Sequence, residues 1–579
     1  MRLRYLHLQN YPPISDIKIC FASGSPLGRD CAIRFVVGVN GSGKSNLLRA
    51  VAEVFLALSD LRMPPFPVSM IYELGVRGST NHRSLLLHCP GSRQQASLWV
   101  HERFAFDDQN GQEVFESCIE HLSLKGLPAV PGFTPLIAPG SWPLRDSTPP
   151  LMALPLAVLA YTTGDLLPWR SIWNRNQDGR GLLTDAEGFT NEERPAVWTE
   201  ADEARVNIDG GTFGDEPEAP HRVQAESESG YLRPILLDTT LLKCALLSVA
   251  LPHALKDEAQ RDTALQNLLE RGGWHDLVSV CFRSHMNPPN WDRKLCETAH
   301  DWWLCAGEVI AEPHPLEARR TLLFDLKGLF LAQDLTTRIA TDALATCTTQ
   351  GEALLALLGG ADVTPFELFS RLLELNQSGL FDDVLLRLRS QPVSEPWDEP
   401  FGLDIGVLRY EELSDGEQMV LGRMALFHLL DGQQDALLLL DEPETHFNDK
   451  WKREIVDIID DAIGNTANDV LISTHSSIVL SDVFNNEIVM VQKTANGSGV
   501  RSVSEQTFAT DPSALMMTVF GADDSIGKRA QDFIEKKLKQ ATGTPEEIAD
   551  LERLIARMGS GFYRSELRTL LFQWKERSV

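Results

Sequence analysis

The sequence predicts an α/β fold whose two halves are separated by a long insertion. Three observations support this prediction: a glycine-rich loop stands between an apolar run and a helical pattern, a second apolar run ends in two carboxylates, and a third ends in a histidine. Continuous apolar runs of strand length are typical of parallel strands buried on both faces. The chain has 579 residues, which is too long for one compact core and enough for about two to four domains.

The glycine-rich loop is Gly38–Ser45, which matches the pattern Gly-x-x-x-x-Gly-Lys-Ser. A β-rich apolar run at 32–37 precedes this loop, and apolar residues at helical spacing follow it at 46–56. Free N–H groups and the helix dipole favour an anion at such a junction, and glycines let the backbone curl around it. The pattern therefore predicts a loop that binds the phosphates of a nucleotide through these residues: Asn40, Gly41, Ser42, Gly43, Lys44 and Ser45.

Two residues of this loop and two acidic residues have separate predicted roles. Lys44 is expected to reach the β- and γ-phosphates, and Ser45 to place its hydroxyl on Mg²⁺. The second apolar run, at 436–440, ends in Asp441 and Glu442, and carboxylates at the end of a buried strand are costly unless they have a chemical role. Asp441 is therefore predicted to orient the metal ion, and Glu442 to polarise the attacking water as a general base.

Two further motifs are ambiguous when each is considered alone. Residues 413–418 read Leu-Ser-Asp-Gly-Glu-Gln before a helical pattern, so Ser414 lies near a helix N-terminus that suits an anion. The same residues equally fit an ordinary helix cap with an acidic first turn. Residues 469–477 predict another buried strand that ends at His475, and a histidine at such a place is more often structural than catalytic.

Taken in order, the four motifs resemble those of the ABC-type ATPase heads of the SMC, RecF and OLD (overcoming lysogenization defect) group. The resemblance covers roughly residues 1–165 and 401–510. It implies an ABC-type P-loop ATPase head with a mixed or antiparallel N-terminal sheet, a large helical insertion and a helical C-terminal tail. It also implies that the chain binds ATP and Mg²⁺ and hydrolyses ATP.

The resemblance further implies how the remaining motifs act. His475 would contact the γ-phosphate and serve catalysis together with Glu442. Ser414 and Gly416, with Glu417 beside them, would close over the ATP that the phosphate loop of another copy holds. Two symmetric sites would then form, so we expect a homodimer or a higher even-numbered oligomer.

The phrases at 35–46 and 441–448 are similar to those of a narrower group, the ATPases associated with bacterial restriction systems and the ATPase subunit of Septu-type anti-phage systems. Septu-type systems pair the ATPase with a separate HNH nuclease, so the resemblance implies a defence complex with such an effector. No clustered acidic triad follows His475, and we therefore predict no nuclease activity in this chain. A RecF-like clamp that repairs or recombines DNA directly is the alternative, and a transporter motor fits less well.

The pattern along the chain predicts five segments. Strands around Pro12 and Pro13 open the chain, and alternating segments at 70–125, including 114–119, predict an antiparallel sheet. No sustained heptad repeat follows, so the insertion is expected to be compact. The segments are an N-terminal lobe at 1–165, an acidic and flexible insertion at 166–232, a helical insertion at 233–400, a C-terminal lobe at 401–510 and a helical extension at 511–579.

Composition restricts the environment and the partners. The formal net charge of −28 disfavours a surface that binds nucleic acid throughout, although it leaves contact with DNA through a local basic groove open. Thirteen acidic residues and three arginines lie between 185 and 228. Nine cysteines without a Cys-x-x-Cys pair, no signal peptide and no long apolar stretch predict a cytoplasmic protein without a membrane segment.

Residues 413–418 resemble the signature sequence of ABC-type ATPases. In the related ATPases, a glutamine that contacts the nucleotide usually lies between the phosphate loop and this signature. The candidates in this sequence are Gln94, Gln95, Gln109 and Gln112. None has a decisive context, and the choice among them stays open, as do the activating trigger and the full stoichiometry.

Overall fold

The computed structural model describes most of the chain. The described residues are 1–21, 27–92, 94–104, 106, 111–142, 151–177, 232–256, 261, 263–285, 291–312, 319–331, 342–390, 406–494, 497–522, 526–540, 543–559 and 562–577. The acidic stretch at 185–228 and Gln109 lie outside them.

Strands and helices alternate along the described residues. The strands are β1 (Arg2–Tyr11), β2 (Ile14–Cys20), β3 (Ala32–Val37), β4 (Val68–Leu74), β5 (Arg83–Cys89), β6 (Ser97–Glu102), β7 (Thr134–Ile137), β8 (Ala157–Thr162), β9 (Ile235–Leu236), β10 (Asp276–His285), β11 (Glu308–Glu312), β12 (Arg319–Asp325), β13 (Phe381–Arg389), β14 (Val407–Arg409), β15 (Ala436–Asp441), β16 (Asp469–Thr474), β17 (Ile488–Thr494) and β18 (Gly497–Ser502). The helices are α1 (Lys44–Ser59), α2 (Gly111–Lys125), α3 (Leu167–Gln177), α4 (Thr239–Ala254), α5 (Thr263–Arg271), α6 (Arg293–Cys305), α7 (Asp342–Ala345), α8 (Gln350–Leu357), α9 (Pro365–Gln377), α10 (Asp415–Leu429), α11 (Asp449–Ile463), α12 (Ser477–Leu480), α13 (Pro512–Thr518), α14 (Lys528–Gln540), α15 (Pro545–Arg557) and α16 (Phe562–Arg577).

A thirteen-stranded mixed sheet joins the two halves of the chain, in the order β7-β6-β5-β4-β1-β2-β18-β17-β3-β16-β15-β8-β9. The strands from β17 to β9 run parallel in neighbouring pairs, whereas β7 to β2 form an antiparallel wing. The registers place Asp441 opposite Ser473 on one side and Thr162 on the other, and Thr474 opposite Val37. The carboxyl ends of four parallel strands therefore meet at one edge of the sheet.

The parallel strands are buried on both faces, as their continuous apolar sequences predict. Along β15, Leu437 and Leu439 belong to a core that includes α1, whereas Leu438 and Leu440 belong to a second core that includes α4 and α10. Each of these leucines is at most 2% exposed. The mixed α/β architecture, the antiparallel N-terminal wing and the helical C-terminal region confirm the predicted fold class.

The insertion predicted to be helical at 233–400 differs from that prediction. It contains helices α4 to α9, but also most of a five-stranded antiparallel sheet in the order β11-β12-β10-β13-β14. In β13, the side chains of Val384, Leu386 and Leu388 are buried, and the residues between them are not. Burial of every second side chain is typical of a strand, and the prediction of a helical segment overlooked this pattern.

Two shorter stretches also differ from prediction. Residues 114–119, predicted as part of an antiparallel sheet, lie inside α2, because Phe115, Cys118 and Leu122 recur at helical spacing and pack in one cluster. At the start of the segment predicted as a flexible insertion, 166–232, the chain forms α3, whose Trp169 is buried in the core that includes α1.

The C-terminal helices form a small core of their own. Ile534, Leu551, Ile555, Leu567 and Trp574 pack together between α14, α15 and α16. In the described parts of the chain, no helix is both long enough and apolar enough to span a bilayer. No disulfide joins cysteines within the described residues.

A buried cluster of charges fixes the start of the antiparallel wing. Arg4 on β1 lies 3.4 Å from the carboxylate of Glu73 on β4, and both side chains are at most 2% exposed. Arg77 and His82 lie within 3.3 and 3.9 Å of the same carboxylate. Burial alone would raise the pKa of Glu73, but the nearby His82 and the charges of Arg4 and Arg77 outweigh it and hold the pKa at about 2.

We expect Glu73→Gln to lower the free energy of unfolding by about 3 kcal/mol at neutral pH, because it leaves the buried Arg4 without its counter-charge. A carboxyl with a depressed pKa stabilises the fold above its ordinary value of 4.5, and this contribution is lost as the pH falls toward 2. Urea unfolding of variant and wild type should therefore give converging stabilities as the solution is acidified. Glu116→Gln is the control, since its exposed pair with Lys18 is worth at most about 1 kcal/mol.

Candidate active site

The phosphate loop connects the end of β3 to the start of α1, which confirms the predicted strand, loop and helix. Gly43 precedes the first turn of α1 with a φ of 103°, and Gly41 has a φ of 71°. Both values lie in the left-handed region, which residues with a Cβ rarely adopt. The backbone path of the loop therefore favours glycine at these two positions.

Residues of the loop differ in exposure. Asn40 and Gly41 are exposed, whereas Ser42 is fully buried and its hydroxyl oxygen has no hydrogen-bond partner in the described structure. A backbone cradle with an unpaired hydroxyl beside it suits an anionic ligand.

Lys44 lies at the centre of the candidate site. Its ammonium donates a hydrogen bond to the carbonyl oxygen of Gly38 at 3.0 Å and lies 3.8 Å from Oε1 of Glu442. The side chain is only 5% exposed. Lys44 therefore places a buried positive charge between the phosphate loop and the end of β15, where Glu442 follows.

Three hydroxyl groups surround the carboxylate of Asp441. Ser45 Oγ donates to Oδ1 at 2.8 Å, Ser473 Oγ donates to the same oxygen at 2.5 Å, and Thr162 Oγ1 donates to Oδ2 at 3.1 Å. Asp441 and Thr162 are nearly buried and Ser473 is fully buried. The register of β8, β15 and β16 brings Thr162 and Ser473 to Asp441, and the phosphate loop brings Ser45.

This cluster fits the predicted magnesium ion. Mg²⁺ prefers oxygen ligands and usually keeps waters and phosphate oxygens beside one or two carboxylates. Ser45 Oγ and the Asp441 carboxylate are adjacent oxygens of this kind. Within the described ranges, no group of three or more His, Cys, Asp or Glu side chains could hold a metal ion by itself.

Glu442 is held at both its backbone and its carboxylate. Its N–H lies 3.0 Å from the carbonyl oxygen and 3.1 Å from the hydroxyl of Ser473, and its own φ is 53°. Its Oε1 lies 3.2 Å from Nδ1 of His475 and 3.8 Å from Nζ of Lys44. A non-glycine residue in the left-handed region is uncommon and is found often at functional sites.

His475 lies beside this carboxylate at the mouth of the site, where its side chain is 52% exposed. It follows Thr474, whose hydroxyl donates to the buried carboxylate of Glu444. The structure thus brings five predicted residues into one contiguous network: Lys44, Ser45, Asp441, Glu442 and His475. A carboxylate beside an ammonium and an imidazole, next to a phosphate loop, can activate water and neutralise the charge of a phosphate.

Sequence reasoning missed Arg423 on α10. Its guanidinium donates to the carbonyl oxygens of Pro443 and Thr445, the latter at 3.0 Å, and to the hydroxyl of Tyr161 at 2.9 Å. Burial lowers the pKa of Arg423, and the interactions with Tyr161 and Glu444 oppose this shift. Arg423 therefore connects α10 to the loop that follows Glu442. The signal in the sequence was an arginine placed among the apolar residues of a predicted helix.

The signature residues form a helix cap in this chain. The hydroxyl and N–H of Ser414 both donate to the carboxylate of Glu417, at 2.7 and 2.9 Å, and the N–H of Glu417 points back to the Ser414 hydroxyl. Gly416 faces the carbonyl oxygen of His446 and the ring of Trp451. No hydrogen bond joins Ser414, Gly416 or Glu417 to the phosphate loop in the part of the chain that the structure describes. Ser414 is exposed.

Three of the four glutamine candidates lie among the described residues. Gln112 donates to Glu116, and Gln94 and Gln95 border a small pocket beside Ser123. The described hydrogen bonds connect none of these three to the phosphate loop.

Comparison with known proteins gives one partial family match and several structural neighbours. Residues 376–482 match the family model described as "AAA domain, putative AbiEii toxin, Type IV TA system". No curated protein matches the chain. The matched range contains the signature, the acidic strand end and His475.

The structural neighbours include three SMC heads. One is an SmcHead bound to the C-winged helix domain of ScpA, with 12% identity, a TM-score of 0.29, and coverage of 87% of this chain and 98% of that one. A second, derived from Pyrococcus furiosus, shares 13% identity with a TM-score of 0.28 and covers 87% and 96%. A third, from Thermotoga maritima, shares 11% identity with a TM-score of 0.28 and covers 87% and 100%. The phosphate loop, the acidic strand end and the match over 376–482 together identify a P-loop ATPase domain in this chain.

Proposed function

We propose that the chain binds and hydrolyses ATP. This proposal rests on one observation, the network formed by Lys44, Ser45, Asp441, Glu442 and His475. Mg²⁺, held by Ser45 and Asp441 together with phosphate oxygens, would neutralise the charge that develops on those oxygens. Lys44 binds the β- and γ-phosphates, and Glu442 accepts a proton from the attacking water. His475 contacts the γ-phosphate from the exposed side of the site.

We further propose that two copies share each nucleotide. Ser414 is exposed at the N-terminus of α10, where free N–H groups favour an anion. Its own phosphate loop makes no hydrogen bond with it in the described residues, so a nucleotide supplied by another copy fits the geometry. ATP drives pairing if it binds the closed pair better than the separate copies, and a tenfold preference corresponds to about 1.4 kcal/mol.

Arg423 supplies a route by which pairing reaches the catalytic carboxylate. It lies on the same helix as the signature and contacts two carbonyl oxygens of the loop that follows Glu442. A change in the position of α10 would therefore move this loop directly. Lys243 adds a link to the insertion, because its buried ammonium contacts Asp383 on β13 and Glu411, three residues before Ser414.

We propose that this switch serves a cytoplasmic anti-phage defence complex in which ATP-dependent pairing controls a separate HNH nuclease. The sequence resemblance to Septu-type ATPases supports this role, and the matched family's name, which includes a type IV TA system, is compatible with it. The test is co-expression with an HNH nuclease encoded beside this gene. Co-purification that changes with ATP supports the proposal, and failure of the two proteins to associate with or without nucleotide contradicts it.

A RecF-like clamp that acts directly on DNA is the second candidate, and one structural feature favours it. A groove of about 700 Å³ between the C-terminal helices is bordered by four basic residues, Lys536, Lys537, Arg553 and Arg557, with Phe533 among them and two carboxylates, Glu547 and Asp550, on the same lining. Basic side chains around an aromatic ring suit single-stranded nucleic acid. Salt-dependent DNA binding by the isolated chain would support the clamp.

We expect Ser414→Arg to leave ATP binding by a single copy intact and to prevent ATP-dependent pairing, since the long side chain would occupy the space of the partner's phosphates. Nucleotide titration and sedimentation velocity measure the two properties separately. Ser504→Arg, which changes another exposed serine, is the control for added charge. If Ser414→Arg pairs as wild type does, the shared site is wrong.

A further inference from the structure

The hairpin of β17 and β18 packs against the phosphate loop at several glycines. A Cβ added to Gly38 would lie 2.1 Å from the carbonyl oxygen of Val491, and one added to Gly43 would lie 3.1 Å from the hydroxyl of Ser498. Ser498 Oγ also donates to the carbonyl oxygen of Ser42 at 2.5 Å. The hairpin therefore holds the loop along its length, a contact that none of the sequence motifs indicated.

Lys493 extends from this hairpin to the remaining glycine of the loop. Its ammonium nitrogen lies 3.2 Å from the position that a Cβ of Gly41 would occupy, and its Cε lies at 3.4 Å. Lys493 pairs with Ser498 across the hairpin. The hydrogen bond from Ser498 to the loop therefore also fixes the backbone position from which the Lys493 side chain extends. No carboxylate lies within ion-pair distance of Lys493 among the residues that the structure describes.

Two ammonium groups thus approach the phosphate loop at different points. Lys44 lies at Gly38 and Glu442, where the γ-phosphate would be hydrolysed. Lys493 lies at Gly41, beside the loop backbone, whose N–H groups in such loops cradle the α- and β-phosphates. The chain has a formal net charge of −28, yet this exposed lysine pairs with no carboxylate among the described residues. Its position beside an anion cradle therefore favours anion binding over a structural ion pair.

We propose that Lys493 is a second phosphate-binding cation that contacts the α- or β-phosphate of the nucleotide. This inference rests on the proposed ATP-binding function and adds a residue to it. Because the contact does not involve the γ-phosphate, Lys493 contributes to ADP and ATP affinity alike. His475, at the γ-phosphate, contributes to ATP affinity alone.

The test compares dissociation constants of ADP and ATP, measured by calorimetry with Mg²⁺ present, for wild type and Lys493→Met. We expect the variant to bind both nucleotides about tenfold more weakly, as expected for loss of one charge-assisted contact. Lys493→Arg keeps the charge and should retain most of the affinity. Lys18→Met, which removes an exposed lysine from β2, controls for the change in net charge.

Each other result overturns the assignment. An unchanged ADP dissociation constant in Lys493→Met excludes the α- and β-phosphates, and a loss confined to ATP places the lysine at the γ-phosphate. A weaker affinity accompanied by a lower melting temperature of the nucleotide-free protein means that Lys493 only supports the loop. If wild type itself binds neither nucleotide, the proposed function fails, whereas equal binding by wild type and Lys493→Met removes this inference alone.

Discussion

Glu442→Gln should bind ATP, lose hydrolysis by about 10²–10⁴-fold and accumulate as paired copies. The substitution removes the proton acceptor and leaves the shape of the side chain. The variant leaves unchanged the residues that we propose contact the nucleotide and the metal ion, which are Lys44, Ser45 and Asp441. Phosphate release measured at saturating ATP reports turnover, and sedimentation velocity in ATP and Mg²⁺ reports the pairs.

Glu444→Gln is the matched control for that variant. Glu444 lies two residues further along the same loop, is 2% exposed and accepts a hydrogen bond from Thr474. Burial raises the pKa of Glu444, which favours the neutral form that glutamine imitates, so we expect a far smaller change in turnover. Wild-type hydrolysis in Glu442→Gln would remove Glu442 as the base.

Lys44→Ala should weaken ATP binding by about 10- to 150-fold. A charge-assisted hydrogen bond is worth about 1.5–3 kcal/mol, and each 1.4 kcal/mol is about tenfold in affinity. The loss should be large because the ammonium is nearly buried and already placed between Gly38 and Glu442.

Equilibrium titration with a fluorescent ATP analogue measures this effect. Lys452→Ala, which removes a half-buried lysine on α11 beside Asp449, is the control for loss of one positive charge. An ATP dissociation constant in Lys44→Ala equal to that of wild type would contradict the assignment of the phosphate loop.

The sequence was sufficient to predict the strands and helices that carry the site. The phosphate loop follows β3 and precedes α1, and β15 and β16 end at Asp441 and Thr474, close to the predicted ends. These elements were predictable because apolar runs buried on both faces have a pattern that few other structures share. The sheet brings their ends together, because β3, β16 and β15 run parallel and end at the same edge.

The partners of the site residues were not predictable from the sequence. The hydroxyl of Thr162 reaches Asp441 only because β8 pairs with β15 in one particular register. Lys493 and Ser498 reach the phosphate loop through a hairpin that lies more than four hundred residues away in sequence. Such contacts depend on tertiary packing, which a local pattern does not encode.

The signature residues illustrate a sequence pattern that fits two different roles. The residues after Leu413 fit both a helix cap and a contact with a partner's nucleotide, and the structure contains the cap. The cap does not exclude the contact, because Ser414 remains exposed at the helix end. Its role toward a partner is a prediction that concerns two chains.

Mixing two inactive variants tests the shared site most directly. Ser414→Arg and Lys44→Ala should each lack turnover alone, but a mixed pair contains one site that joins the intact Lys44 of one copy to the intact Ser414 of the other. With differently tagged copies to demonstrate mixed pairs, we predict that ATP hydrolysis returns on mixing. Mixed pairs that form and remain without turnover would contradict the sharing of ATP between two copies.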